Sequence, residues 1–410
     1  MSNRTTHTIR LQDGSLCNLR RRLSKQAVPL VDCLSTIPDA RRAQGRRYSL
    51  ALLLLIVFIA LLRGSKNLKD ACLFARTNQK LFKHLGLPLT HGAPDPTTVS
   101  RMLRGLDPEK LVSAYFEFLS ALGISFGGTL SFDGKTMRAV NGEATVRHML
   151  SLFSHETHLA LGQIGVDGKE NEIPAFERLL AQGTGLGTIP GKLLLGDALH
   201  TQRATARTVL AAGADYLFVV KGNQRGLRRA IEVKLEAMKQ PGAAGSEPDS
   251  HARQSTDRRR SITTTVTVMT AAPGEQELQL PTGNQHWAGV RTAGILRRTG
   301  TRTSKDGKVT QVDETIGVIC SRSLSAKEVA VHLRRHWCIE NNLHWVKDEV
   351  LKEDKHTLRR GNAPQIMSFL RSMAISLCNA LKLKSISDTI HNLEKSSSLL
   401  GQFLKMAAVI

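Results

Sequence analysis

The feature that most constrains the fold is a change of hydrophobic texture at Thr129. Before it, from Val31 to about Leu122, apolar residues recur with helical spacing. Two Asp-Pro steps, Asp95-Pro96 and Asp107-Pro108, each set a capping aspartate ahead of a proline at a first helical position. After it, short apolar runs alternate with helical segments, beginning with Thr129-Leu130-Ser131-Phe132-Asp133. Strands are predicted at about 148–154, 158–166, 192–197 and 215–221, and helices near 173–182, 202–212 and 224–238. Such alternation specifies an α/β sheet. A small all-helical domain (29–122) therefore precedes an α/β domain (123–383).

Within that second domain, residues 239–261 are rich in Pro, Gly and Ser and then basic, which reads as a mobile loop. A second β-rich block follows over about 262–322, so that 240–322 holds this loop and this block. Ser325 and Glu328 form an S-x-x-E capping box, with Leu324 and Val329 spaced as a hydrophobic staple. A long helix is predicted from there through Trp337 and Glu340 to about Val350, and another over 363–382. Trp337 and Trp345 read as core aromatics, because aromatics at helical spacing usually face the interior. Residues 1–28 read as a basic flexible arm and 384–410 as a C-terminal tail.

Charge narrows the partners. Lys and Arg number 57 against 35 Asp and Glu, a formal net charge of +22. A field of that sign calls for a polyanion, and nucleic acid fits best, since Lys and Arg on backbone phosphates gain affinity by counterion release. The six cysteines show no C-x-x-C pair, against a zinc ribbon or disulfide scaffold. No secretory signal is visible, so a reducing cytoplasm is the default compartment. The apolar run Leu50 to Leu62 falls short of the ~20 residues needed to span a bilayer. It reads as a buried core helix, and no membrane partner is expected.

Two predicted strands end in an aspartate, Asp133 and Asp197. Strand ends are where ligands bind in open α/β sheets, yet a turn aspartate capping the next helix is the commoner use of such a residue. On the capped helix, His336, Glu340, His344 and Lys347 follow at steps of four, four and three and share one face. That face suits either DNA and metals or a solvated stripe. Helical i,i+4 spacing also admits zinc, although no H-E-x-x-H pattern is present.

The segments SFDGKTMR (131–138), LGQIGVDGKENEI (161–173), GDALHTQ (196–202), VVKGNQ (219–224), HWCIENNLHWVKDE (336–349) and RRGNAP (359–364) closely resemble the H-repeat-associated family of bacterial insertion-sequence DDE transposases. IPDARRAQGRRYSL (37–50) resembles the domain preceding the catalytic core there, so the likeness spans roughly 30 to 383. It implies an RNase H-like catalytic core with a β-rich insertion, preceded by the small all-helical domain, itself the candidate DNA-binding domain. Asp133, Asp197 and Glu340 would be the DDE triad. Lys347 matches the lysine that relatives place seven residues after the Glu, whereas His336 stands where they place an arginine.

The same resemblance implies metal-dependent DNA strand cleavage and strand transfer of an insertion sequence. Two Mg2+ ions about 4 Å apart, replaceable by Mn2+, would activate the attacking oxygen and stabilise the leaving one. Asp133 would bridge both ions; Asp197 and Glu340 would each complete one shell. Lys347 and His200 are the supporting catalytic candidates, and Lys135, Arg138, Lys221, Arg335, His336 and His344 the candidate DNA contacts. The partners implied are double-stranded DNA, as terminal inverted repeats and target, and further copies of the chain in a synaptic complex. A nuclease that cuts without joining and a non-catalytic DNA-binding relic are the alternatives.

Overall fold

The computed structural model describes residues 28–124, 126–137, 146–167, 172–185, 187–240, 247–257, 259–272, 274–280, 282, 286–304, 306–355 and 357–410; the predicted N-terminal arm lies almost wholly outside them. Along the chain come helices α1 (Leu30–Ser35), α2 (Leu50–Leu62), α3 (Leu68–Thr77), α4 (Gln79–His84), α5 (Pro96–Gly105) and α6 (Pro108–Ala121). Strands β1 (Thr129–Thr136), β2 (Val146–Ser154) and β3 (Ala160–Asp167), helix α7 (Glu172–Gly185), β4 (Leu193–Gly196), α8 (Arg203–Ala211), β5 (Asp215–Val220) and α9 (Arg225–Met238) follow. Then come β6 (Asp249–Asp257), β7 (Arg260–Thr270), β8 (Thr292–Thr303), β9 (Val309–Cys320), α10 (Ala326–His336), α11 (Ala363–Ala380), α12 (Ile386–Lys395) and α13 (Ser397–Met406). They form two compact units: Met1–Gly127, Gly134–Leu179 and Ile339–Ile410 make the first, Gly128–Asp133 and Leu180–Cys338 the second.

In the first unit α2 is the core helix its composition predicts, with every residue except Leu52 buried. Asp95 and Asp107 cap α5 and α6 as expected, accepting from Thr97 N at 2.8 Å and Glu109 N at 2.9 Å ahead of a proline. Helix α11 is buried from Ala363 to Cys378, and its serines satisfy neighbouring polar groups: Ser376 Oγ accepts from Ala160 N at 2.9 Å and Ser368 Oγ from Gln163 Nε2 at 2.9 Å.

The RRGNAP motif is structural here. Gly361, at φ 53°, passes so near α5 that an added Cβ would sit 3.0 Å from the Arg104 carbonyl oxygen. Asn362 donates to that carbonyl from its backbone (3.2 Å) and to the Leu106 carbonyl from its side chain (3.0 Å). The segment read as a tail forms α12 and α13, capped by Ser385 and Ser396.

In the second unit the strand order is β1-β4-β5-β9-β8-β7-β6. β1, β4 and β5 run parallel, while β5–β9, β9–β8, β8–β7 and β7–β6 are antiparallel. Helix α10 covers one face. Its Ala326, Val329 and Leu333 join Leu195, Leu217, Val219, Val266, Leu296 and Val318 in one buried cluster, each side chain contributing roughly 1.5–3 kcal/mol. The predicted capping box is formed: Ser325 Oγ accepts from Glu328 N at 3.3 Å and the Glu328 carboxylate accepts from Ser325 N at 2.8 Å.

The described part of 239–261 departs from the loop reading. Asp249–Asp257 is a strand in full register with β7. Being an edge strand exposed at every position but His251, it needs no apolar alternation, so its sequence carries no period-two signal. The helix predicted to Val350 also changes. It is α-helical to His336, turns at Trp337, and winds as π-helix over Glu340–His344 and Val346–Val350.

Candidate active site

The parallel pairing of β1 with β4 matches Thr129 to Leu193, Leu130 to Leu194 and Ser131 to Leu195. The pairing ends at Ser131 and Leu195: Asp133 lies within β1 two residues beyond it, and Asp197 just past the end of β4. Alternation along β1 puts Asp133 on the Ser131 side, the face that α10 covers. Gly196 lets the strand ends approach: an added Cβ would meet the Phe132 ring at 2.4 Å. Asp197 is exposed and its Oδ1 accepts from Leu199 N at 3.0 Å. It therefore does cap the following turn, with Oδ2 outside that bond.

The two loops beyond this edge are tied together. Asn223 of VVKGNQ donates to the Ala198 carbonyl at 2.5 Å and Gln224 to the Thr201 carbonyl at 3.0 Å. Lys221 stands exposed on the loop. His200, the candidate for orienting water or phosphate, is buried, its ring edge-on to Phe132 at 4.7 Å between centroids. His336 closes the α10 side, its Nδ1 3.0 Å from Ser131 Oγ. Burial lowers the His336 pKa, against the pull of the Asp197 charge and with help from His200 and Lys221. Its imidazole is thus neutral at pH 7.

Glu340 belongs to the other unit and is exposed at the start of the π-helical stretch. A π turn holds more residues than an α turn, so residues seven apart no longer stack. Lys347, expected on the Glu340 face as a phosphate contact, is instead 1% exposed. Its Nζ donates to Ser368 Oγ at 3.1 Å and Gln163 Oε1 at 3.4 Å, and burial brings its pKa down to about 8 although Glu353 opposes this.

Lys135, also expected on phosphate, is engaged by carboxylates: it ion-pairs with Asp348 and, at 2.7 Å, with Glu353. Burial works against its charge, but the two acids outweigh burial and raise its pKa. Glu353 is the residue that motif reading missed, since nothing local in the sequence marks it. Burial alone would raise its pKa, yet Lys347, Lys135 and Arg371 hold it far below the usual carboxylate range.

The remaining candidates divide. Arg335 is exposed in the last turn of α10. His344 is half-buried, and desolvation, with Lys347 and Lys135 adding to it, pushes its pKa to about 3; a neutral ring is a poor phosphate contact. Arg138 lies outside the described residues. Trp337 and Trp345, read as core aromatics, are each 57% exposed. The turn and π winding that begin at Trp337 move both off the apolar face that α-helical spacing assigns them.

As donors, Asp133 and Asp197 are hard carboxylates suited to a divalent cation. Among the described residues no three His, Cys, Asp or Glu side chains are gathered closely enough to hold one. The two aspartates fit a carboxylate metal site in donor chemistry.

The family model described as transposase DDE domain matches residues 124–377, and the DDE_Tnp_1-associated model matches 31–119. YbfL of Escherichia coli K12 is 30% identical over 354 residues, covering 85% of this chain and 89% of its own. YhhI of the same strain, named as H repeat-associated, is 30% identical over 355 residues, covering 85% and 89%. Among solved structures, the piggyBac transposase synaptic complex with hairpin DNA aligns over 95% of this chain and 78% of that one, at 10% identity and a TM-score of 0.42. The chain belongs to the DDE transposase family.

Proposed function

We propose that this transposase cuts and joins the DNA ends of its own insertion sequence at a site where Asp133, Asp197 and Glu340 hold divalent metal, magnesium by preference, within an RNase H-like core. The observation supporting this reading is the parallel pairing of β1 with β4, beyond whose last pair, Ser131 with Leu195, Asp133 follows on β1 and Asp197 just past the end of β4. Glu340 follows His336 by one helical turn along the chain, stands exposed, and sits in the motif by which the family supplies its third carboxylate. When bound, the metal provides Lewis-acid activation of the attacking oxygen and charge stabilisation at the leaving one.

The chain's own groups arrange the rest. Neutral His336 spends Nδ1 on Ser131, which leaves Nε2 as the nitrogen to meet substrate near Asp197. Exposed Lys221 and Arg335 neutralise phosphates flanking the scissile bond. Lys135 and Lys347 act through the interior: with Glu353, Asp348 and Arg371 they brace the segment that follows Glu340. The substrate is double-stranded DNA, and a synaptic assembly of several copies would bring two ends together.

The test is magnesium-dependent cleavage and joining of a labelled duplex carrying the element's ends, by wild type, Asp197→Ala and Glu340→Ala. Cleavage and joining by wild type alone support the reading. Cleavage that survives Asp197→Ala overturns the assignment, and cutting without joining by wild type points to a nuclease.

A further inference from the structure

The register of β6–β9 sorts charge between the two faces of this ribbon. On the face that carries Leu296, Ile316 and α10, one row across the strands holds Arg253 and Arg298, and the row two steps further out holds Arg260 and Arg302. Two of these are matched by acids on the same face, Arg298 by Glu314 at 3.1 Å and Arg260 by Asp257 at 2.7 Å. Arg253 and Arg302 are exposed and have no carboxylate partner among the described residues. On the opposite face Arg297 is matched by Asp313 at 3.2 Å, and its neighbours are mostly threonines. A third acid on the first face, Asp249, is engaged by Ala326 N of α10 at 2.7 Å, so that face carries four arginines against three acids, whereas the charges of Arg297 and Asp313 cancel on the other.

Between the two arginine rows runs an uncharged one, Ser255, Ile262, Gly300 and Val312. Gly300 keeps it low. At φ 146° it brings β8 so close to β7 that an added Cβ would sit 2.0 Å from the Ser261 carbonyl oxygen. Two-residue steps of ~6.8 Å put the charged rows roughly 14 Å apart, near the ~12 Å width of a major groove. The basic face continues onto α10, whose last turn exposes Arg334 and Arg335, and Arg298 lies 5.7 Å from the ring of Trp337 just beyond it. Alternation along β1 puts Asp133 on this same face of the sheet.

We infer that this face of the β6–β9 ribbon binds the phosphates of duplex DNA flanking the carboxylate site, with Arg253 and Arg302 as its contacts. The inference rests on the reading that the chain acts on DNA, and names the surface that holds it. Its test is the salt dependence of binding to a random-sequence labelled duplex in EDTA, which excludes chemistry. Arg253→Ala/Arg302→Ala is expected to reduce the slope of log K against log [salt] by about 1.8, two phosphates at ~0.9 each. Lysines at both positions should restore it, and Arg297→Ala should leave it unchanged. Both alanines sit on exposed strand positions, and matching thermal melts check folding. An unchanged slope in the double variant, or an equal fall in Arg297→Ala, overturns the inference. A double variant with reduced slope in a chain whose wild type does not cleave supports the surface and contradicts the catalytic reading, so the two fail separately.

Discussion

The imidazole Nδ1 of His336 lies 3.0 Å from the hydroxyl of Ser131, two residues before Asp133 on β1. One hydrogen bond thus joins the end of α10 to the strand that presents the first aspartate, in a part-buried setting where a lost partner is felt. Ser131→Ala is expected to cost about 1 kcal/mol in chemical denaturation and to slow cleavage. Unchanged stability and rate together would show that the bond does not organise this edge.

Glu353 faces three cations, Lys135 at 2.7 Å, Arg371 at 4.0 Å and the buried Lys347. Removing one member of a buried ionic group leaves the others uncompensated, which typically costs 3–5 kcal/mol. Glu353→Gln keeps the volume and removes the charge, so its unfolding free energy should fall by about that amount. A loss under about 1 kcal/mol would mean that water reaches the cluster and screens it.

His344 predicts a pH dependence. Its folded pKa of about 3, set mainly by desolvation, lies below the ordinary 6.5. Between those values the unfolded chain binds more protons than the folded one, so stability rises with pH across this window and is lost as pH falls from about 6.5 to about 3. The contribution is on the order of a few kcal/mol, at ~1.4 kcal/mol per unit. Unfolding free energy followed from pH 7 to pH 4 should decline less steeply in His344→Asn than in wild type; identical slopes would contradict the burial of that ring.

What the sequence made legible was local. The caps at Asp95 and Asp107 and the Ser325–Glu328 box are each written within a few residues, and each stands where its signal puts it. What it hid was pairing across the chain and winding. Lys135 meets Asp348 and Glu353 more than two hundred positions away, and no spacing rule links them. Lys347 left the Glu340 face because the helix widened after Trp337, a change that α-helical periodicity cannot register. Strand β6 escaped notice because exposed polar residues at a sheet edge need no hydrophobic pattern.

The central claim, that Asp133, Asp197 and Glu340 hold one metal site, is tested most directly by replacing magnesium with ferrous iron and mapping where ascorbate-driven radicals cut the chain. The account predicts cuts near residues 133, 197 and 340 together, all suppressed by excess magnesium and lost jointly in Asp197→Ala. Cuts clustered elsewhere, or cuts near 133 and 197 that never extend to 340, would contradict it.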